Sequence, residues 1–369
     1  MIPFATAWGA AGHDIAVAAP ASFREAVERT GFEFRPFADA PQDELDAVFS
    51  TLHQESPDEG NIRVVRDVFA TIDATAALPG LNDLISEWRP DVVVREACEF
   101  AAYVAAERHD LPQLRVAVGL ASFEEPMIAH CEPPLAALRR SVGLTADPGL
   151  RRLLSAPRLT TLPASVDAAA AETGTRRFSE AARDARPEPL TDWWGGAADP
   201  LVYVSFGTVA AGIGMFPDLY LAAAGALADV PVRVLMTTGG SADPAALGPL
   251  PPNVHVERWC DEAQVLPQAS VVVSHGGFGT LLRVLAAGVP MVVVPLFADQ
   301  GYNARRVHDT GIAIALDGGP AGIGELGAAV KRVVGDPAFR TAAHRTAQEM
   351  RSQPDVSASA DLLLRAARP

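Results

Sequence analysis

Residues 274–303, SHGGFGTLLRVLAAGVPMVVVPLFADQGYN, are the part of the chain whose types and spacing can do chemistry. An apolar run, Val271-Val272-Val273, reaches Ser274 and breaks into His275-Gly276-Gly277-Phe278-Gly279-Thr280. Glycines between a strand end and a helix start let backbone N–H groups approach an anion, and the helix dipole favours the negative charge. His275 adds a donor at the same turn. After a further apolar run, Asp299-Gln300 supplies an acid and an amide that can grip hydroxyls. The layout suits a sugar joined to a diphosphate.

The elements that must position these groups follow from composition and pattern. The 369 residues are 49% hydrophobic and 20% charged, the balance of a globular chain long enough for two domains. The net charge of -15 argues against a nucleic acid or an anionic membrane as partner, since both need clustered cations. Lys331 is the sole lysine and no G-x-x-x-x-G-K-[ST] occurs, so a lysine-dependent phosphate loop is excluded. Cys98, Cys131 and Cys260 lie far apart without metal-type spacing and read as structural thiols. No apolar run spans a membrane and no leader precedes a cleavage site, so the expected location is cytoplasmic.

Short β-branched runs alternate with helix-like stretches, the pattern of parallel βα units. Expected strands are 15–19, 34–37, 92–94 and 114–118 in the first half. In the second they are 201–206, 232–237, 254–257, 271–274, 291–294 and 312–315. Helices are expected at 23–30, 98–109, 219–228 and 280–287. Segment 126–158, with several prolines, reads as a looser insertion lining a cleft or covering it. Segment 185–200, rich in Pro and Gly, is the expected junction; Trp193 and Trp194 in it either pack at that junction or stack on a ligand. The fold class is α/β, two doubly wound Rossmann-like domains facing a cleft. Domain bounds are 1–187 for acceptor binding, 188–353 for donor binding, and 354–369 as a last helix crossing back to the first domain.

Trp259, Val265-Leu266-Pro267, His275-Gly276-Gly277, Gly288-Val289-Pro290, Asp299-Gln300 and Asn303-Ala304 together resemble the UDP-glycosyltransferase-like superfamily of GT-B architecture. The similarity is closest to bacterial enzymes that glycosylate antibiotics and other natural products, and it is strongest over residues 255–316. It implies that His275 hydrogen-bonds the donor diphosphate while Gly277, Gly279 and Thr280 add backbone or hydroxyl contacts. It also implies that Asp299 and Gln300 hold sugar hydroxyls and that Trp259 stacks on the nucleotide base. Ser205 and Thr208, in V-S-F-G-T, belong near the phosphates in the family, or serve only as a turn. Glu262 stands where plant relatives carry Gln, and Arg283 where they carry a ribose-gripping Glu. Losing that Glu suits a deoxyribose, so a dTDP-linked donor is expected beside a UDP-linked one; Arg283 is otherwise a solvated helix residue.

In the family the chain opens with a strand and a Gly-His loop whose His is the general base. Here 1–8 reads as the helix that follows such a loop, and His13 lies in a helix-to-strand turn with a structural role. Either the start codon is placed too late or the copy is degenerate. Glu96, at the end of Pro90-Asp91-Val92-Val93-Val94-Arg95-Glu96, matches the carboxylate that orients the base and is the catalytic candidate; alternatively it pairs with an arginine. Glu99 is a weaker candidate for the same task. The expected function is a metal-independent, inverting glycosyltransferase with no cofactor, acting on a nucleotide-sugar donor and a small hydrophobic acceptor. The alternatives are a catalytically impaired nucleotide-sugar-binding helper and a nucleotide-sugar epimerase of the same fold. No G-x-G-x-x-G with a following acid opens either half, which argues against a dehydrogenase.

Overall fold

Continuous β-branched runs are stable as strands only when both faces are covered, and the computed structural model places them so. It describes residues 1–168, 174–180 and 188–366. The chain divides into two units, Met1–Ala181 with Gln353–Pro369, and Ala182–Ser352. The expected boundary at 187 and the last three residues of the expected final segment 354–369 lie outside the described residues.

In the second unit six strands form one parallel sheet in the order Ala313–Ala315, Met291–Val293, Val271–Ser274, Leu201–Ser205, Arg233–Thr237, Val254–Glu257. Val271, Val272 and Val273 are fully buried, which accounts for their unbroken apolar run. Helices Asp218–Leu227 and Leu326–Gly335 cover one face through Leu219, Tyr220, Leu227, Leu326 and Val330. The segment around Trp193 and Trp194 packs on the edge of this sheet, at and just before the strand Val254–Glu257. Trp193 stacks on His255 with ring centroids 4.2 Å apart, and Trp194 Nε1 donates to the Asn253 carbonyl at 3.0 Å.

In the first unit the parallel strands form two sheets. Ala16–Pro20 pairs with Glu33–Phe37, and Val93–Glu96, Gln113–Val116, Arg158–Thr160 and Arg176–Arg177 form the other in that order. The last two strands have no long apolar run and escaped the sequence reading. Helix Ile2–Ala10 buries Phe4 and Trp8, and His13 lies in the turn after it. Trp8 Nε1 donates to Ser359 Oγ at 2.8 Å, and Leu363 joins Phe4, Trp8 and Phe178 in one cluster, so the final helix Ala360–Ala366 belongs to this unit. Segment 126–158 is not a loose insertion. Its helices, including Glu132–Ser141, bury Ile128, Cys131 and Leu135, whose helical spacing outweighs the prolines. Residues Val64–Asp73 form a π-helix, which no local pattern had indicated.

Candidate functional site

A doubly wound sheet leaves a crevice where successive connections depart in opposite directions, beyond the carboxyl ends of the two strands concerned. In the second unit those strands are Leu201–Ser205 and Val271–Ser274, neighbours in the sheet although far apart in the chain. Their register sets Ser205 opposite Ser274. The loops Phe206-Gly207-Thr208 and His275-Gly276-Gly277 therefore leave the sheet side by side.

Gly207 has φ +78°, and a Cβ there would come within 2.7 Å of His275 Cε1 and 2.8 Å of Nε2. The imidazole thus lies against bare backbone. A Cβ on Gly277 would also run into His275 Nε2. Gly276 has φ +81° and sits on Val293, whose Cγ1 would be 2.7 Å from an added Cβ. Helix Phe278–Ala287 starts at Gly277 with no side-chain cap, so its first-turn N–H groups are left for a ligand. Thr280, in that first turn, is buried, whereas Gly279 and Thr208 are exposed. Ser205 is buried, and its Oγ accepts from Gly207 N at 3.5 Å. Burial is the main influence on His275 and pushes its pKa below the ordinary value, with the Ser205 backbone opposing. Its Nδ1 is buried without a hydrogen-bond partner.

The segment after the next strand braces this loop. Asn303 Nδ2 donates to the Gly276 carbonyl at 2.9 Å and to Asp299 Oδ2 at 2.7 Å. Burial raises the Asp299 pKa, with the Asn303 donation opposing. Gln300 is 3% exposed, and its Oε1 accepts from Leu296 N at 2.8 Å and Phe297 N at 3.0 Å. The Gln300 carbonyl is therefore engaged in holding its own loop. Asn303 was noted only as part of a pattern, and its bond to Gly276 depends on two strands lying side by side.

Trp259 follows the strand Val254–Glu257 and is 74% exposed. Glu262 opens the short helix Glu262–Val265 and pairs with Arg283 of the glycine-loop helix. Tyr203 Oη donates weakly to Glu262 at 3.4 Å and shares a hydrogen bond with Thr237 at 3.1 Å. Arg283 is accordingly an ion-pair partner and not merely a solvated residue. It fastens the Glu262 turn to the helix that begins at Gly277.

In the first unit Glu96 ends the strand Val93–Glu96, and its Oε2 accepts from Cys98 N at 2.8 Å. Burial pushes its carboxyl up to about 7, with Glu99 and Glu124 adding to the rise. Glu99 caps helix Phe100–Arg108 by accepting from Ala102 N at 3.3 Å. Glu96 makes no ion pair with Arg95, whose guanidinium reaches Gln113 Oε1 at 3.0 Å and the Leu153 carbonyl at 3.1 Å.

Comparison with known proteins places both halves in one family. The N-terminal domain described as erythromycin biosynthesis protein CIII-like matches residues 6–141, and the C-terminal domain of the same description matches 222–363. The chain is 29% identical to demethyllactenocin mycarosyltransferase of Streptomyces fradiae, over 96% of this chain and 80% of that protein. It is 27% identical to 4'-demethylrebeccamycin synthase of Lentzea aerocolonigenes, over 98% and 95%. The crystal structure of the glycosyltransferase SnogD from Streptomyces nogalater superposes with a TM-score of 0.76 at 26% identity, covering 100% of this chain and 95% of that one. Among the described residues no helix is long and apolar enough to cross a membrane.

Proposed function

The chain belongs to the erythromycin biosynthesis protein CIII-like glycosyltransferases of GT-B architecture, and on that premise we infer that it moves a sugar from a nucleotide diphosphate to a hydroxyl of a small natural-product acceptor, inverting the anomeric centre without a metal. The observation that carries this reading is the anion seat at the sheet's switch point, where His275, bare Gly207 and an uncapped helix N-terminus converge. In an in-line displacement the acceptor oxygen bonds to the anomeric carbon while the bond to the diphosphate breaks. Negative charge grows on the departing phosphate oxygen, where His275 Nε2 and the helix N–H groups stabilise it. Trp259 supplies a face for the base, Asp299 serves the sugar hydroxyls while Gln300 braces the loop that carries it, and the Glu262–Arg283 pair borders the pentose, which suits dTDP as well as UDP. The acceptor proton leaves to a base supplied or steadied by Glu96, whose carboxyl near 7 exchanges protons at neutral pH. The metal-free assignment rests on the lack of a D-x-D acidic pair in the sequence. A cytoplasmic location belongs to the same proposal.

Release of nucleotide diphosphate from a nucleotide sugar, followed with and without an added hydroxyl acceptor, tests this. Release should depend on the acceptor, and His275→Ala should lower kcat by about 100-fold, the scale for removing one donor to a developing oxyanion. Unchanged turnover in that variant, or donor conversion that needs no acceptor, would refute the transfer mechanism.

A further inference from the structure

Asp299 is the N-cap of helix Gln300–Asp309, yet its side chain makes no capping bond. An aspartate at that position ordinarily accepts from an N–H of the first turn, which stabilises the helix. Here the carboxylate is directed elsewhere: Asn303, one turn further on, donates to its Oδ2 at 2.7 Å. The preceding residue, Ala298, has φ +55°, a strained left-handed conformation for a residue with a Cβ. The chain thus forgoes a cap and accepts backbone strain in placing one half-buried carboxylate.

Asn303 carries a cost of its own. It is fully buried, and its Oδ1 has no hydrogen-bond partner. An acceptor buried unanswered is unfavourable, and an apolar residue of the same shape would avoid it. What asparagine provides and leucine lacks is two N–H groups on one nitrogen. One serves Asp299 Oδ2 and the other the Gly276 carbonyl, in the loop that carries His275. Loop and helix meet because the strands before them are neighbours, with Ser274 opposite Val293. The approach is close, since a Cβ on Gly276 would lie 3.4 Å from the Gln300 carbonyl oxygen. A single amide therefore ties the carboxylate to the glycine loop.

We propose that Asn303 is a positioning residue that holds the Asp299 carboxylate at a fixed offset from the Gly276 loop, so that a donor's sugar is gripped in line with its diphosphate. This rests on the transferase reading, in which Asp299 serves the sugar hydroxyls and His275 the diphosphate. Asn303 itself, being fully buried, acts only through those two groups. The offset matters because a misplacement of about 1 Å at the reacting atoms can cost about 100-fold in rate.

Isothermal titration of the whole chain with dTDP, UDP, dTDP-glucose, dTDP-rhamnose and UDP-glucose, without acceptor, tests the proposal. The nucleotide sugar that the wild type binds most tightly is compared with its own nucleotide diphosphate. Asn303→Leu fills a similar space without either N–H, and should weaken the nucleotide sugar about tenfold more than the diphosphate. Asp299→Ala should weaken the nucleotide sugar by a similar factor and leave the diphosphate unchanged. Asp299→Asn, which still offers Asn303 an oxygen, should retain more sugar affinity than Asp299→Ala. On the nucleotide sugar the double variant, Asn303→Leu with Asp299→Ala, should lose no more than Asn303→Leu alone, because both changes remove the same grip. If Asn303 only packs the core, Asn303→Leu weakens both ligands equally and its loss adds to that of Asp299→Ala; either result overturns the proposal and leaves the transferase reading standing. A wild type that binds the diphosphates but none of the nucleotide sugars overturns it too. One that binds no nucleotide diphosphate refutes the transferase reading and this proposal with it. Should Asn303→Leu fail to fold, Asn303→Ala, smaller and likewise without a side-chain N–H, takes its place with the same expected ratio.

Discussion

Replacing Gly207 by alanine separates backbone cost from site damage, because the second unit holds a control for it. Gly207 has φ +78° and Gly214 has φ +85°, so alanine is strained at both, by about 1–2 kcal/mol per residue in the left-handed region. At Gly214 nothing lies within 4 Å of the new Cβ, whereas at Gly207 it falls 2.7–2.8 Å from the His275 ring. That ring must then move by several tenths of an ångström or rotate out of the seat. Losing one hydrogen bond to a charged phosphate costs about 1.5–3 kcal/mol, or a factor of roughly 10–150 in affinity. Both variants should lose a few degrees of thermal stability, at about 2–4 °C per kcal/mol for a unit of this size. Only Gly207→Ala should weaken dTDP or UDP binding by that factor in a calorimetric titration. In a double-mutant cycle with His275→Ala the two losses should not add, since both remove the same contact. Equal nucleotide affinity in Gly207→Ala and Gly214→Ala would show that His275 does not face the diphosphate, and the site reading would fail.

Two further outcomes follow from buried polar groups. Gln300→Leu leaves the Leu296 and Phe297 N–H groups without their acceptor and should lower stability by about 1–3 kcal/mol in urea unfolding; an unchanged urea midpoint would show that Gln300 does not hold this loop. Glu96 has its pKa raised from 4.5 to about 7, so the folded state binds its proton more tightly than the unfolded state. The stabilising contribution is fully present below pH 4.5 and is lost as pH rises towards 7, amounting to at most about 3 kcal/mol. Glu96→Gln should therefore unfold at higher urea than the wild type at pH 8, with the difference vanishing near pH 4; an identical pH dependence in the two proteins would count against a buried, proton-sharing Glu96.

What could be read without coordinates was whatever is local in sequence. Strand positions were legible because a strand covered on both faces needs an unbroken apolar run, as in Val271-Val272-Val273, and such a run depends only on neighbours along the chain. The glycine loop was legible for the same reason, since Gly276 and Gly277 precede their helix directly. Strands Arg158–Thr160 and Arg176–Arg177 were not, because short strands rich in arginine look like surface until their faces are known. The prolines of segment 126–158 misled, since Pro133 sits in the first turn of helix Glu132–Ser141, where a missing N–H costs nothing.

Residue types and local order thus determined the family, the fold class and the loop suited to a diphosphate. Tertiary pairing alone decided which groups meet. Ser205 lies opposite Ser274, so Gly207 closes on His275. Two strands lying side by side let Asn303 hold Gly276. One row of register lines up three buried arginines, Arg95, Arg115 and Arg158. Register carries no signature in any single segment, because it is a property of two strands at once.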